Sequence, residues 1–560
     1  MSLNRITEKL FCFFILTILI LTLSIQNFYC KERVQSEGPT SLAENPWGMN
    51  VHLGFNCTKP HAEEIFKAIK KIGISCVRVD VYWWYDNMFM QKDHCDYAMW
   101  LADKYNIDIL LVFPQLPNRT DVTFLKEYAG MFEYYCSRYN GKTPIVIKGE
   151  QTPRYPKIKY VEPCNEVEYH YRSEKVNVAQ TFLLMKTAAQ AIHSSDSTIK
   201  VVLPGMSSAH SEFLDSLLLS NDSEGHGLFE YFDIFNIHDY SWNTGDFNSN
   251  WQYWQNLYHK SKFNDKPIWI TEYGKSLWEL TKKDQADILL RNSIVQLSKG
   301  VQRMFYYQFH SFGGNYFKTH RQIEEYYGII DTGISNSYVS FMENDGIFNK
   351  AISQGDGLEK VYINKNTDSV SIYTMNKIIS MKLQENGVAI GGMGYTMDSV
   401  VIKSGNKDIV LWRGQKMISS MGKDFLCLDA KLFKNLKDDD KLVVYFSNPK
   451  DTNGKWIGLA PYPAYYAYKQ LSSVLNEGYT TPTLEIKSRN CFVAKWQNTK
   501  KHLYYYALWS EKDNKTINLV SSPKSLRQIL SGHSKLYKDR TVILKKTPVF
   551  FESDEELVFE

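Results

Sequence analysis

Two glutamates at the ends of β-like runs are the residues of this chain best placed to do chemistry together. Glu166 follows Lys159–Val161 in KYVEPCNEVEYHY, and Glu272 follows Pro267–Thr271 in KPIWITEYGKS. Both runs are rich in β-branched and aromatic residues, so each glutamate should sit where a strand gives way to a loop. A carboxylic acid and a carboxylate about 5 Å apart can cleave a glycosidic bond with retention of configuration: the acid protonates the leaving oxygen and the carboxylate attacks the anomeric carbon. The plain alternative is that both are ordinary solvated loop carboxylates among the chain's 61 acidic residues, as most glutamates are. The elements around the pair decide between the two.

From Trp47 to Phe312 short β-like runs alternate with helix-length amphipathic segments. The runs begin at Trp47, Ile74, Ile107, Lys159, Ile199, Tyr231, Lys266 and Val301. Between them lie segments such as HAEEIFKAIKKIG, VAQTFLLMKTAAQAIH and KKDQADILLRNSIVQLSKG, with apolar residues at the helical period. Strand–helix repeats over roughly 250 residues are the size of a (β/α)8 TIM barrel, whose active sites lie at the C-terminal ends of the strands. A doubly wound open sheet would place a GxGxxG turn after its first strand, and none follows Trp47–Phe55. On this count Glu166 closes strand four and Glu272 closes strand seven, both on one rim.

A chain of 560 residues is too long for one core. With 65 Lys+Arg against 61 Asp+Glu and no dense basic run, nothing points to nucleic acid. Aromatic residues make up 14% of the chain; most fill cores and sheets, but flat rings also suit the C–H faces of sugars. Arg5 and Lys9 precede an apolar run from Leu10 to Ile25, short for a membrane span of about twenty residues and shaped like a cleaved signal peptide over residues 1–30. The expected location is therefore secreted, periplasmic or cell-surface, with Cys30 a candidate bacterial lipidation site and Tyr29 an unusually bulky neighbour for one. No later stretch is apolar and long enough to cross a bilayer, so no integral membrane domain is expected in the mature chain. The nine cysteines show no CxxC spacing, so no metal site is expected, and Cys164 beside Glu166 reads as a packed strand residue rather than a nucleophile.

With the strands counted, the chain resembles the clan A retaining glycoside hydrolases, which carry an acid/base glutamate after an asparagine at strand four and a nucleophilic glutamate ending strand seven. Asn165–Glu166 is similar to the first element and Ile270-Thr271-Glu272-Tyr273-Gly274 to the second. The resemblance implies that Arg78, in CVRVD on strand two, steadies the nucleophile, and that His238 and Tyr240, in NIHDY on strand six, flank it. It covers residues 47 to about 330 and resumes near Ala460, and GMNVHLGF leans towards the group of β-xylosidases and α-L-iduronidases. What it implies is an exported retaining glycosidase without cofactor, acting on a carbohydrate; a catalytically silent carbohydrate-binding or scaffold protein is the alternative.

In that scheme Glu166 must carry its proton when substrate arrives while Glu272 must be ionised, with Arg78 as its cation. Asn165 would hydrogen-bond the sugar 2-hydroxyl and Tyr240 would hold the Glu272 oxygen not used in attack. The clan commonly ends strand eight with a tryptophan platform, whereas this chain reads FYYQFHSF, so Tyr307, Phe309 or His310 would serve. Trp83 and Trp84 after strand two and Trp242 after strand six are further candidate pocket walls, and Asn50 and His52 on strand one could reach a sugar. The Pro-containing connection from Asn140 to Ile158 is expected to form a rim over the site.

The second half has an unusual order. Strand-like material fills residues 340–458, and only then does APYPAYYAYKQLSSVL supply a helical period. The expected division is a barrel over 45–335 plus 459–476, an inserted β-rich domain over 340–458, and a C-terminal β-sandwich over 477–560. The oligomeric state is left open by the sequence.

Overall fold

The computed structural model describes residues 41–560 apart from short internal segments, of which 312–326, 353–370 and 448–459 are the longest. The expected signal segment 1–30, Cys30, Trp83 and Trp84 lie outside the described residues.

The first half is a barrel. Its strands are β1 (Trp47–Val51), β2 (Cys76–Asp80), β3 (Asp108–Val112), β4 (Tyr160–Glu162), β5 (Lys200–Val201), β6 (Phe235–Asp239), β7 (Ile268–Tyr273) and β8 (Arg303–Tyr306). They pair in parallel in the order β5-β4-β3-β2-β1-β8-β7-β6, and a parallel bridge from Val202 to Ile234 joins the two ends of that order. The connecting helices are α1 (Lys59–Lys71), α2 (Met88–Tyr105), α3 (Val122–Arg138), α4 (Val178–Ser195), α5 (Glu212–Leu218), α6 (Thr244–Lys260) and α7 (Lys282–Ser298). Local sequence sets their starts: Asp121 accepts from the Phe124 N–H at 3.1 Å to cap α3, and Asn177 with Gln180 forms a reciprocal capping box on α4.

Apolar residues of the strands and inner helix faces share one core with α8 (Pro463–Val474). This helix lies against both neighbours that a barrel's eighth helix would have: Ser472 Oγ donates to the Ile72 carbonyl at the end of α1, and α7 packs beside it. Tyr468 donates to the Gly48 carbonyl of β1 at 2.8 Å. The chain leaves the barrel through β9 (His310–Ser311) and β10 (Ile330–Asp331) and returns through β20 (Ala460–Pro461). β10 and β20 are antiparallel, with Ile330 opposite Pro461, so exit and return stand side by side.

Between them run two antiparallel sheets. One is ordered β12 (Ile347–Ile352), β11 (Tyr338–Glu343), β14 (Val388–Gly391), β18 (Lys423–Leu428), β17 (Ile418–Ser420); the other β13 (Ser371–Thr374), β19 (Lys441–Ser447), β15 (Thr396–Ser404), β16 (Lys407–Arg413).

After α8 comes a six-stranded sheet ordered β21 (Thr483–Ser488), β22 (Cys491–Asn498), β23 (Leu503–Ser510), β28 (Val549–Ser553), β25 (Leu526–Leu530), β26 (His533–Leu536), with a separate antiparallel pair, β24 (Lys515–Asn518) and β27 (Thr541–Leu544). Strand alternation sends Phe492, Ala494 and Trp496 into the barrel's core and Cys491 and Val493 into a second core with Ile517, Val542 and Leu544. Trp496 donates its indole N–H to the Val474 carbonyl of α8 at 2.6 Å.

One sequence expectation is corrected by topology. The connection 140–158 joins the end of α3 to the start of β4, so it lies at the N-terminal end of the strands, opposite the active-site face. Its contacts agree: Arg154 pairs with Asp103 near the end of α2 at 3.5 Å, and Lys157 with Asp196 after α4 at 3.3 Å. Among the described residues no helix is long and apolar enough to cross a membrane.

Candidate active site

Charged side chains can be buried in a barrel only if they satisfy one another. Arg78 on β2 is the hub. Its Nε donates to Glu162 Oε2 at 2.7 Å and Nη2 to Glu162 Oε1 at 3.2 Å. Nη2 also donates to Asn165 Oδ1 at 2.6 Å, and Nη1 to Asn50 Oδ1 at 2.9 Å and Glu272 Oε1 at 2.7 Å. A guanidinium has five N–H groups in a rigid fork, and all of them are used. Asn50 is thereby fixed from the other side as well, donating to the Thr271 carbonyl at 2.8 Å, so it braces the barrel and does not face a ligand.

Glu162 was not singled out by the sequence. It ends β4, is fully buried, and also accepts from the Gly205 N–H at 2.9 Å and Asn236 Nδ2 at 3.3 Å. β4 stops there, so Glu166 lies beyond the strand on the loop. It holds a left-handed backbone at φ 47°, which costs a non-glycine residue energy and must be enforced by its surroundings. Its N–H donates to the Gly205 carbonyl at 2.9 Å, fastening the loop to the chain after β5.

Gly205 is glycine for a steric reason. A Cβ there would lie 1.9 Å from His238 Nε2. The imidazole fills that space and is wholly buried, with Nδ1 3.0 Å from Glu166 Oε1 and 3.5 Å from Glu272 Oε2, and Nε2 3.1 Å from Thr271 Oγ1. Thr271 and Glu272 are consecutive, yet both turn into the barrel; pairing to β8 slips between Ile270 and Tyr273, the re-aiming that a β-bulge provides.

Glu272 is buried and accepts from Arg78 at Oε1 and from the Tyr240 hydroxyl at Oε2, 2.7 Å. Burial alone would raise its pKa, but the His238 and Arg78 charges and the Tyr240 hydrogen bond outweigh it and hold Glu272 below the ordinary carboxylate value. His238 moves the other way. Burial disfavours its cation, but Glu272 and the hydrogen-bonded Glu166 more than compensate, and its pKa is raised. Arg78 thus sits between the buried carboxylates of Glu162 and Glu272, with His238 against the latter. The two candidate catalytic carboxylates differ in exposure: the Glu166 side chain is 25% exposed and that of Glu272 8%. One oxygen of each and one His238 nitrogen all lie within 4.8 Å of one another.

The remaining predicted residues divide. His52 pairs through Nδ1 with Asp80 of β2 and meets the Tyr307 ring edge-on at 5.4 Å. Tyr307 in turn meets Tyr327 at 5.4 Å, and Tyr327 meets Tyr240 at 5.7 Å. This arc of rings joins the ends of β1, β8 and β6. Phe309 is corrected: it is fully buried in the barrel core and has no face to offer a sugar. His310 is also buried, and half-buried Tyr307 is the member of that trio whose ring is part of the arc. Trp242 is 43% exposed, with Lys275 Nζ 3.9 Å from its ring centroid; the same ammonium donates to the Tyr240 carbonyl. Cys164 is buried, as a packed residue should be. Besides Glu162, the sequence reading missed Gly205, Asn236, Thr271 and Tyr327. Only Glu162 carried a readable signal, as a charged residue inside a barrel strand that needs a partner.

Residues 149–327, which span Glu166, His238, Tyr240 and Glu272, match the family model of the glycosyl hydrolase catalytic core. No curated protein matches the chain. Among solved structures, a family 39 glycoside hydrolase from the gut symbiont Bacteroides cellulosilyticus WH2 is similar in fold, with a TM-score of 0.52 at 13% identity over 92% of this chain and 82% of that one. A family 39 β-xylosidase from Caulobacter crescentus aligns with 93% of this chain and 98% of its own at 11% identity and a TM-score of 0.45. Residues 149–327 thus match a glycosyl hydrolase catalytic core, and the family 39 structure shares the fold of the chain.

Proposed function

We propose that this protein is an exported glycosidase that cleaves O-glycosidic bonds of an oligo- or polysaccharide by double displacement, with Glu272 as nucleophile and Glu166 as acid and then base. The observation that carries the mechanism is that one carboxyl oxygen of each lies within 4.8 Å of the other, in keeping with the roughly 5 Å spacing of a retaining pair. Export is supported by the basic residues Arg5 and Lys9 ahead of the apolar run Leu10–Ile25.

The environments suit the roles. Glu272, ionised between Arg78 and Tyr240, attacks the anomeric carbon while Glu166, the more exposed of the two, gives its proton to the departing oxygen. The bond to the aglycone breaks as the bond to Glu272 forms. Esterification removes the Glu272 charge, and Glu166, now the carboxylate facing His238, takes a proton from the water that attacks the same carbon and releases Glu272. Asn165, its Oδ1 held by Arg78, has its NH2 left to donate to a sugar hydroxyl, a contact that strengthens as the ring flattens.

The test uses an activated aryl glycoside that the unaltered protein cleaves. Glu166→Ala should form the glycosyl-enzyme but stall on hydrolysis, and azide should restore turnover by releasing the sugar azide of unchanged anomeric configuration. Glu272→Gln should abolish hydrolysis without such rescue. Normal turnover by both variants would remove the assignment and leave a carbohydrate-binding barrel as the reading.

A further inference from the structure

We infer that the C-terminal sheet is part of the active-site rim, and that Glu511 is a positioning residue for the loop between β6 and α6, which carries Tyr240, Ser241 and Trp242. The inference rests on the roles proposed above for Tyr240 and Glu272. The loop hangs between two ends. At its start the barrel holds it: Asp239 accepts from Ser241 Oγ at 2.5 Å and from Gln296 Nε2 of α7 at 2.7 Å, and Asn292 Nδ2 of α7 donates to the Ser241 carbonyl at 2.9 Å.

At its far end the anchor comes from outside the barrel. Glu511 Oε1 accepts from both the N–H and the Oγ1 of buried Thr244, at 2.8 and 2.5 Å. Thr244 opens α6, where the unpaired N–H groups and the positive end of the helix dipole favour a carboxylate. Glu511 is itself fixed, since its N–H donates to the Asn490 carbonyl in the β21–β22 turn at 3.0 Å. The same sheet is tied to α7, where Arg291 donates to the Lys546 carbonyl at 3.1 Å and Thr547 to Asp287 at 2.9 Å.

Three site features ride on the loop so suspended. The Tyr240 hydroxyl holds Glu272 Oε2, the Tyr240 carbonyl holds Lys275, and Lys275 covers one face of Trp242. Releasing Thr244 frees the loop at one end, loosens the Tyr240 hydroxyl from Glu272, and removes one of the groups that keep the nucleophile ionised.

The full chain tests this with Glu511→Ala and Glu511→Gln, the second keeping an acceptor oxygen for Thr244. Glu511→Ala should speed amide exchange within residues 240–247 beyond any change elsewhere, lower kcat/KM on an aryl glycoside about tenfold, and move the acidic limb of the kcat/KM profile to higher pH. Glu511→Gln should restore most of all three. Exchange in 240–247 no different from the unaltered protein, or a rise spread evenly over the C-terminal sheet, overturns the inference, as does equal impairment of both variants with the acidic limb unmoved. Should the unaltered protein cleave no glycoside, the proposed function fails, while the exchange measurement still decides the anchor.

Discussion

Replacing Arg78 by Met strands two buried carboxylates at once, and its effect can be worked from the contacts. The side chains of Arg78 and Glu162 are 2% and 0% exposed, so neither solvent nor salt can take over for the lost cation. Breaking a buried ion pair by deleting one partner costs about 3–5 kcal/mol, most of it the penalty for the charge left behind. Glu162→Gln removes the other charge of that pair but keeps an acceptor for Gly205, and should cost roughly 1–3 kcal/mol. The double variant should then be more stable than the sum of the two losses by at least about 1 kcal/mol, because Arg78→Met no longer leaves Glu162 charged. Urea unfolding followed by tryptophan fluorescence gives all four free energies. Arg78→Met should also lose activity, since Glu272 keeps only Tyr240 and His238 to hold its ionised form. A single-variant loss under about 1 kcal/mol, or losses that add within about 0.5 kcal/mol, would refute the idea that Arg78 is the charge hub of the barrel.

Further outcomes follow from neighbouring contacts. Gly205→Ala places a Cβ on His238 Nε2, so kcat/KM should collapse while far-ultraviolet circular dichroism stays native; full activity would show that the imidazole can move aside without consequence. Tyr240→Phe removes one of the groups that lower the Glu272 pKa, so the acidic limb of kcat/KM should move up towards the ordinary carboxylate range, and an unmoved limb would contradict the pairing. His238 titrates above its ordinary value, so its charge stabilises the fold fully below the unfolded-state value of about 6.5 and ceases to do so as pH rises through the raised folded value. The stability difference between the unaltered protein and His238→Asn should accordingly shrink with rising pH across that window, and a difference that grows would reverse the sign.

The barrel was legible because its strands are short apolar runs bounded by loops, and because strand ends on one rim gather polar residues that are far apart in sequence. Glu166, Glu272, Arg78, His238 and Tyr240 could be found that way, and the structure brings all of them into one cluster. Partner choice was not legible. Arg78 could be linked to Glu272 by resemblance, yet its bidentate partner is Glu162, a geometric fact with no local sequence period. The strand-eight platform stayed open among Tyr307, Phe309 and His310 because alternation does not fix facing beyond a strand's end; Phe309 lies after β8 and turns into the core. The 140–158 connection was placed on the wrong face because its proline content was weighed over its position before a strand, which alone decides the face in a parallel barrel. Glu511 was beyond reach for another reason: its contact with Thr244 spans 267 positions, and nothing near either residue records it.

The central claim is that the glutamate pair works by retention. The direct measurement is proton NMR of the anomer released in the first moments of hydrolysis, before mutarotation, from a glycoside that the unaltered enzyme cleaves. The account predicts initial product of the same anomeric configuration as the substrate. Initial release of the opposite anomer would contradict it, whatever the fate of the individual variants.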